Sequence, residues 1–131
     1  MKQTCKLICG DSLEWLKKQP KHSLFIVTDM PLNIPQRPIY EAAHVYMIYG
    51  GVSYLVGRHR PGEERIPGEK VVTPYEKVLE VLYPTTIVDP FMGTGTIGEA
   101  ALKAGHSFIG IEIDPARYEI CAERLKLEKY K

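Results

Sequence analysis

The chain has 131 residues, a length typical of one domain, and its 44% hydrophobic and 25% charged residues exclude disorder over the whole chain. A formal net charge of +1 excludes DNA binding through bulk positive charge, although a local basic patch can still contact phosphate. No apolar run reaches the roughly 20 residues that a membrane span needs.

The first half of the chain predicts two strands, a helix, a loop and a hairpin. An apolar stretch ends at Gly10-Asp11, Ser12 can cap a helix that Pro20 ends, and a second apolar run closes with Thr28-Asp29. Three prolines between residues 31 and 38 predict a loop. The β-branched and aromatic segments 45–49 and 52–56 flank Gly50-Gly51, which predicts a hairpin, and a loop is expected over 57–68.

The second half alternates helices with strands. The predicted elements are a helix opened by Thr73-Pro74, a strand over 86–88, a helix over 97–103 stopped by Gly105, a strand over 108–113 and a helix from Pro115. This alternation predicts an α/β fold with a mostly parallel sheet. Acidic residues follow the strands, where ligands of such sheets bind: Asp11, Asp29, Asp89, Glu112 and Asp114. Alternatively, each Asp caps the next helix.

A glycine-rich loop supplies the most specific signal. The segment Gly93–Gly98 reads G-T-G-T-I-G, follows a predicted strand and opens a helix, and Glu112 lies about 20 residues beyond Gly93. Glycines let the backbone approach a ligand, the helix N-terminus favours an anionic group, and the carboxylate can accept hydrogen bonds from a ribose diol. The pattern predicts an adenosine-containing cofactor; a tight turn with a packing acid is the alternative.

Two segments carry a resemblance to a known family. The C-terminal sequence DPFMGTGTIGEAALKAGHSFIGIEIDPARYEICAERL strongly resembles the cofactor motif of the DNA adenine-N6 and cytosine-N4 methyltransferases. The opening ICGDSLEWLKKQPKHSLFIVTDMPLNI resembles their target-base end, whose usual form is GD, a strand and then DPPYN. The catalytic motif precedes the cofactor motif, as in the circularly permuted members of that family.

The resemblance implies a truncated Rossmann-like methyltransferase sheet and S-adenosyl-L-methionine as the cofactor. Glu112 would hold the ribose hydroxyls, Ile113 would pack on the adenine, and Asp11 would meet the adenine end. The residues that would line the methionine and ribose are Asp89, Phe91, Gly93, Gly95 and Thr96.

The catalytic motif departs from the family pattern, because Asp29, Met30, Pro31 and Leu32 stand where the family has DPPY. Asp29 and the carbonyl of Met30 can still accept hydrogen bonds from an exocyclic amine and stabilise its developing charge. Leu32 lacks the aromatic face that stacks on a flipped base, and Met30 lacks the rigidity of Pro. We therefore expect methyl transfer to DNA that is weak or absent.

Length and composition set the remaining expectations. About forty residues separate Leu32 from Pro74, so we expect a single domain over 1–131 without a separate target-recognition domain.

Alternatives to a DNA amino-methyltransferase of the restriction-modification type are a non-catalytic cofactor-binding or regulatory module and an enzyme that cleaves S-adenosylmethionine. Arg58, His59, Arg60 and Arg65 could contact the phosphates of DNA, or could lie in a solvated loop.

The hairpin also bears on assembly. Its two faces are apolar or aromatic, which predicts a homodimer interface; alternatively the ribbon folds back on its own sheet. Three cysteines without a ligand cluster predict reduced thiols in a cytoplasmic protein and no metal site.

Overall fold

A sheet of seven strands organises the part of the chain that the structure describes. The computed structural model describes residues 2–29, 33–50, 53–58, 69–70 and 75–130. The strands are β1 (Cys5–Cys9), β2 (Leu24–Asp29), β3 (Ala43–Gly50), β4 (Ser53–Arg58), β5 (Glu69–Lys70), β6 (Thr86–Asp89) and β7 (Ser107–Glu112). Their order is β1-β7-β6-β2-β3-β4-β5; the first five pair in parallel, and β4 is antiparallel to both β3 and β5. The predicted sheet, mostly parallel with an antiparallel hairpin, is confirmed.

Helices cover both faces of the parallel strands. They are α1 (Ser12–Lys17), α2 (Arg37–Ala42), α3 (Tyr75–Val81), α4 (Thr96–Lys103) and α5 (Pro115–Arg124), followed by a 3₁₀ turn at Leu127–Tyr130. Ile26 and Val88 pack with α1 and α2 on one face, whereas Val27 and Phe108 pack with α3, α4 and α5 on the other. Burial on both faces explains why these strands read as continuous apolar runs rather than as alternating patterns.

Several predicted boundaries were wrong. The predicted loop over 31–38 ends early, because α2 begins at Arg37 with Pro38 in its first turn, where a missing N–H costs nothing. Asp11 rather than Ser12 caps α1, which ends at Lys17 before Pro20. Gly57 and Arg58 belong to β4 rather than to a loop.

The hairpin joins the sheet through its first strand. Gly50 pairs with Ser53, so β3 ends and β4 begins one position later than predicted. Tyr46, Met47 and Ile48 of β3 are between 2% and 4% exposed within their own sheet. Burial inside one subunit therefore explains the apolar character of β3. This arrangement is the alternative in which the ribbon folds back on its own sheet.

Candidate active site

Three neighbouring parallel strands end in acidic residues at one edge of the sheet. Asp29 ends β2, Asp89 ends β6 and Glu112 ends β7, and these strands are adjacent. Asp29 is exposed, whereas Asp89 and Glu112 are buried. The charges of Asp29 and Glu112 both act to raise the pKa of Asp89, so the three carboxyl groups form one electrostatic cluster.

The carboxyl group of Asp89 organises the start of the glycine-rich loop. Its Oδ1 accepts hydrogen bonds from the hydroxyl of Thr28 at 2.6 Å and from the backbone N–H of Phe91 at 3.0 Å. Burial raises the pKa of Asp89 from 3.8 to about 7, although the two hydrogen bonds oppose the increase. Asp89 therefore links β6 to β2 and fixes the turn that follows β6.

Glu112 connects the same loop to the end of β7. Its Oε1 accepts from the backbone N–H of Gly93, and its Oε2 accepts from that of Asp114, both at 2.9 Å. An ionised carboxylate offers about four lone-pair sites on its two oxygens. Both oxygens of Glu112 thus keep acceptor capacity for ligand hydroxyls.

A cleft lies beside this carboxylate. Its volume is about 250 Å³, and its lining residues are Asp11, Ser12, Leu13, Pro90, Phe91, Ile111, Glu112 and Ile113. Ile113 is 67% exposed, so its aliphatic surface is accessible to a ligand in the cleft. The cleft therefore combines apolar surface for a flat ring with a carboxylate that can accept from hydroxyls. Four of the predicted cofactor residues, namely Asp11, Phe91, Glu112 and Ile113, meet there.

The glycines of the loop have different physical roles. Gly93 has φ +56°, and a Cβ at this position would meet no atom within 4 Å, so its conformation favours glycine while the space above it is open. Gly95 has φ +95°, and its Cβ would lie 2.8 Å from the Cys121 Sγ. Gly93 can therefore admit a ligand, whereas Gly95 permits close packing of α4 against α5.

The helix α4 begins directly after the glycine-rich loop, with Gly95 as its N-cap. The first N–H groups of a helix have no partner within the helix, so an anionic group is favoured at such an end. The anion-favouring role of this end stays a prediction.

Other predicted residues lie elsewhere or serve a second purpose. Asp11 and Asp114 cap α1 and α5, as the capping alternative expected, although Asp11 also lines the cleft. Thr96 lines a second cleft of about 270 Å³, where its Oγ1 accepts from Arg124 at 3.3 Å. Met30, Pro31 and Leu32 lie outside the described residues, as do His59, Arg60 and Arg65; Arg58 is exposed at the end of β4.

Two tyrosines near Asp29 were not predicted from the sequence. Tyr49 of β3 is the register partner of Asp29. The ring of Tyr75, at the start of α3, meets the Tyr49 ring edge-on, with centroids 5.5 Å apart and an interplanar angle of 83°. The position of Tyr75 just after the predicted helix start Thr73-Pro74, which lies outside the described residues, was the available signal. The pairing of β2 with β3 was needed to connect Tyr75 to Asp29.

Two kinds of site are not found in the described part of the chain. Among residues 2–29, 33–50, 53–58, 69–70 and 75–130, no cluster of His, Cys, Asp and Glu could hold a metal ion. None of the helices described there is long and apolar enough to cross a bilayer.

Sequence comparisons support the resemblance to the DNA amino-methyltransferases. Residues 78–123 match the family N6_N4_Mtase, described as DNA methylase. The "Putative methylase YubD" of Escherichia coli strain K12 is 35% identical over 82 residues, which cover 61% of this chain and 30% of that protein. The chain thus spans less than a third of this curated relative.

Solved structures share the fold at low sequence identity. M1.HpyAVI superposes with a TM-score of 0.69 at 18% identity, over 94% of this chain and 100% of that chain. Its complex with SAM gives 0.64 at 15% identity, over 93% and 100%. TTHA0409, a "Putative DNA Modification Methylase" of Thermus thermophilus complexed with S-adenosyl-L-methionine, gives 0.62 at 17% identity, over 93% of each chain. Together, the comparisons confirm the methyltransferase-like sheet and the resemblance to the DNA adenine-N6 and cytosine-N4 methyltransferases.

Proposed function

We propose that this chain binds S-adenosyl-L-methionine in the cleft beside Glu112 and acts on an amino group of DNA. The observation that carries the proposal is the position of Glu112, which is tied to the glycine-rich loop and lies next to the exposed Ile113. Two structural neighbours of the same fold are complexes with this cofactor, which supports the assignment.

The residues present fit such a cofactor. The open space above Gly93 leaves room for a ligand, and Phe91 and Ile113 offer apolar contact to an adenine ring. Glu112 would accept from the ribose hydroxyls, and Asp11 would meet the adenine end. We propose Gly93 for the methionine and ribose, where the space is open. The roles of Asp89, which is buried, of Gly95 and of Thr96, which lines the second cleft, stay predictions from the resemblance. When bound, S-adenosylmethionine supplies an electrophilic methyl group.

Asp29 is the proposed catalytic acceptor. Its exposed carboxylate lies at the end of β2, beside the strand that carries Asp89. An exocyclic amine of adenine or cytosine is a poor nucleophile because its lone pair is delocalised into the ring. A hydrogen bond from that amine to Asp29 favours a tetrahedral nitrogen and stabilises its developing positive charge. The carbonyl of Met30 is the proposed second acceptor.

Self-association is proposed as a separate property of the chain. The apolar pattern of the hairpin motivates a two-fold dimer, but burial of β3 within its own sheet gives that idea no support. Light scattering over a range of concentrations distinguishes a dimer from a monomer. For a chain that dimerises, the average molar mass rises towards twice the monomer mass as the concentration increases. A constant monomer mass contradicts the proposal.

Calorimetric titration tests cofactor binding with a matched pair of variants. Ile113 and Ile120 are 67% and 56% exposed, but only Ile113 lines the cleft beside Glu112. We expect Ile113→Ala to weaken S-adenosylmethionine binding and Ile120→Ala to leave it unchanged. Absence of binding by the native chain, or equal affinity of both variants, would contradict the proposal. Transfer of radiolabelled methyl to mixed DNA then tests the reaction.

A further inference from the structure

We propose that the ring pair Tyr49–Tyr75 contacts the substrate base beside Asp29 and supplies the aromatic surface that Leu32 lacks. This inference rests on the proposed function, because it assumes that Asp29 accepts a hydrogen bond from the amine of a nucleobase. It adds two substrate-contacting residues from segments outside the recognised sequence motifs. One comes from the sheet, at the end of β3, and the other from the first position of α3.

The sheet places Tyr49 and Asp29 side by side. The two residues are register partners in the parallel pair of β2 and β3. Val27 and Met47, two positions earlier on these strands, pack in the core beneath α3, α4 and α5. Because side chains alternate along a strand, Asp29 and Tyr49 point to that same face. Adjacent strands lie about 4.8 Å apart, so an amine held by Asp29 lies within reach of an aromatic ring at Tyr49.

The second ring extends this surface. The rings of Tyr49 and Tyr75 are edge-on, with centroids 5.5 Å apart and an interplanar angle of 83°. Both rings also pack against the buried cluster beneath α3, α4 and α5. Both tyrosines are partly exposed rather than fully buried. The exposed part of this ring pair is the aromatic surface that we propose for a planar ligand.

The charge of Asp29 also acts on the hydroxyl group of Tyr75. Burial is the main cause of the raised pKa of Tyr75, and the charges of Glu76 and Asp29 raise it further. A flipped or single-stranded base presents its exocyclic amine at the edge of a flat ring. In the proposed arrangement, Asp29 contacts the edge of the base and a tyrosine ring contacts its face.

Binding of a labelled oligonucleotide tests this arrangement in the full chain. Fluorescence anisotropy is measured with mixed-sequence single-stranded DNA at fixed low salt, with and without saturating S-adenosylhomocysteine. Tyr75→Leu should weaken binding about 5- to 150-fold, the range for loss of one base–aromatic stack. Tyr75→Phe should bind like the native chain, because it keeps the ring. Tyr83→Leu is the matched control, since Tyr83 is 92% exposed just beyond the same helix.

A second variant and a second ligand make the outcomes distinct. Tyr49→Leu should weaken oligonucleotide binding in the same range, with circular dichroism verifying that each variant folds. Native affinity of Tyr75→Leu for DNA, or no DNA binding by the native chain, overturns the inference. A loss of S-adenosylhomocysteine affinity alone also overturns it and assigns the rings to the cofactor. If the native chain binds DNA but not S-adenosylhomocysteine, the proposed cofactor function fails, while the DNA titration still decides the role of the rings.

Discussion

The backbone N–H of Gly93 donates a hydrogen bond to the Oε1 of Glu112 at 2.9 Å, which joins the loop after β6 to the end of β7. The other oxygen of the same carboxylate accepts from Asp114 at the same distance. The residue proposed to hold the ribose is therefore held in place by the protein itself. Such preorganisation lowers the ordering cost of binding, because the loop and the carboxylate are already positioned.

Replacing Glu112 by Ala should reduce both stability and cofactor affinity. The change leaves two backbone N–H groups without their acceptor and removes the proposed ribose contact. We expect S-adenosylmethionine affinity to fall by about 1–3 kcal/mol, the range for unmet charged hydrogen-bond partners. Calorimetric titration measures the affinity, and thermal unfolding without ligand measures the stability. Unchanged affinity in a folded Glu112→Ala chain would remove Glu112 from the cofactor site.

Asp89 should make the native chain less stable as the pH rises through the acidic range. Burial raises its folded-state pKa from 3.8 to about 7, so between these values the folded chain holds a proton that the unfolded chain has lost. The free energy of unfolding therefore falls with rising pH in this window, by an amount on the order of a few kcal/mol.

The variant Asp89→Asn isolates this effect. Asn keeps a carbonyl oxygen that can accept from Thr28 and Phe91, but it does not ionise. Denaturant titrations from pH 4 to pH 8 should show the variant gaining stability relative to the native chain as the pH rises. A stability difference that stays constant over this range would contradict the raised pKa.

The two left-handed glycines of the loop should differ in their tolerance of a methyl group. In Gly95→Ala the new Cβ would lie 2.8 Å from the Cys121 Sγ and 3.1 Å from the Leu125 Cδ1, so overpacking adds to backbone strain. In Gly93→Ala only the strain of the left-handed backbone remains, which costs about 1–2 kcal/mol of stability. We expect Gly95→Ala to lose about 1–3 kcal/mol more than Gly93→Ala in denaturant unfolding. Equal losses would argue against the close packing of α4 and α5.

The native catalytic motif should support only slow methyl transfer to DNA. We expect the double variant Met30→Pro, Leu32→Tyr to raise transfer of radiolabelled methyl, because it restores a rigid acceptor and an aromatic face. Asp29→Asn in the same background is the control and should abolish the gain. Native turnover of ~1 s⁻¹ or above, as in ordinary enzymes, would show that the motif is sufficient as it stands.

The sequence predicted the sheet and the acidic residues at one of its edges because their signals are local. Buried runs such as 24–27, the Asp that follows them, and the G-T-G-T-I-G turn each lie within a few residues of chain. The helix α2 was missed because three prolines argue against helix interiors, whereas Pro38 lies in the first turn, where proline is tolerated.

The relationships missed are those that depend on strand pairing and packing. Register brings Tyr49 beside Asp29, and the packing of α3 brings Tyr75 against Tyr49. Neither contact leaves a pattern in the sequence, since the partners come from separate segments. Likewise, the hydrogen bond from Thr28 to Asp89 depends on β2 lying next to β6, which the chain order does not specify.

The most direct test of cofactor binding in the cleft is an NMR titration of the ¹⁵N-labelled chain with S-adenosylhomocysteine. We predict the largest amide shifts at Phe91, Gly93 and Ile113, around the cleft beside Glu112. Amides of Tyr83 and Ile120, exposed away from this cleft, should stay in place. No shifts at saturating ligand, or shifts confined to the second cleft around Lys103 and Arg124, would contradict the account.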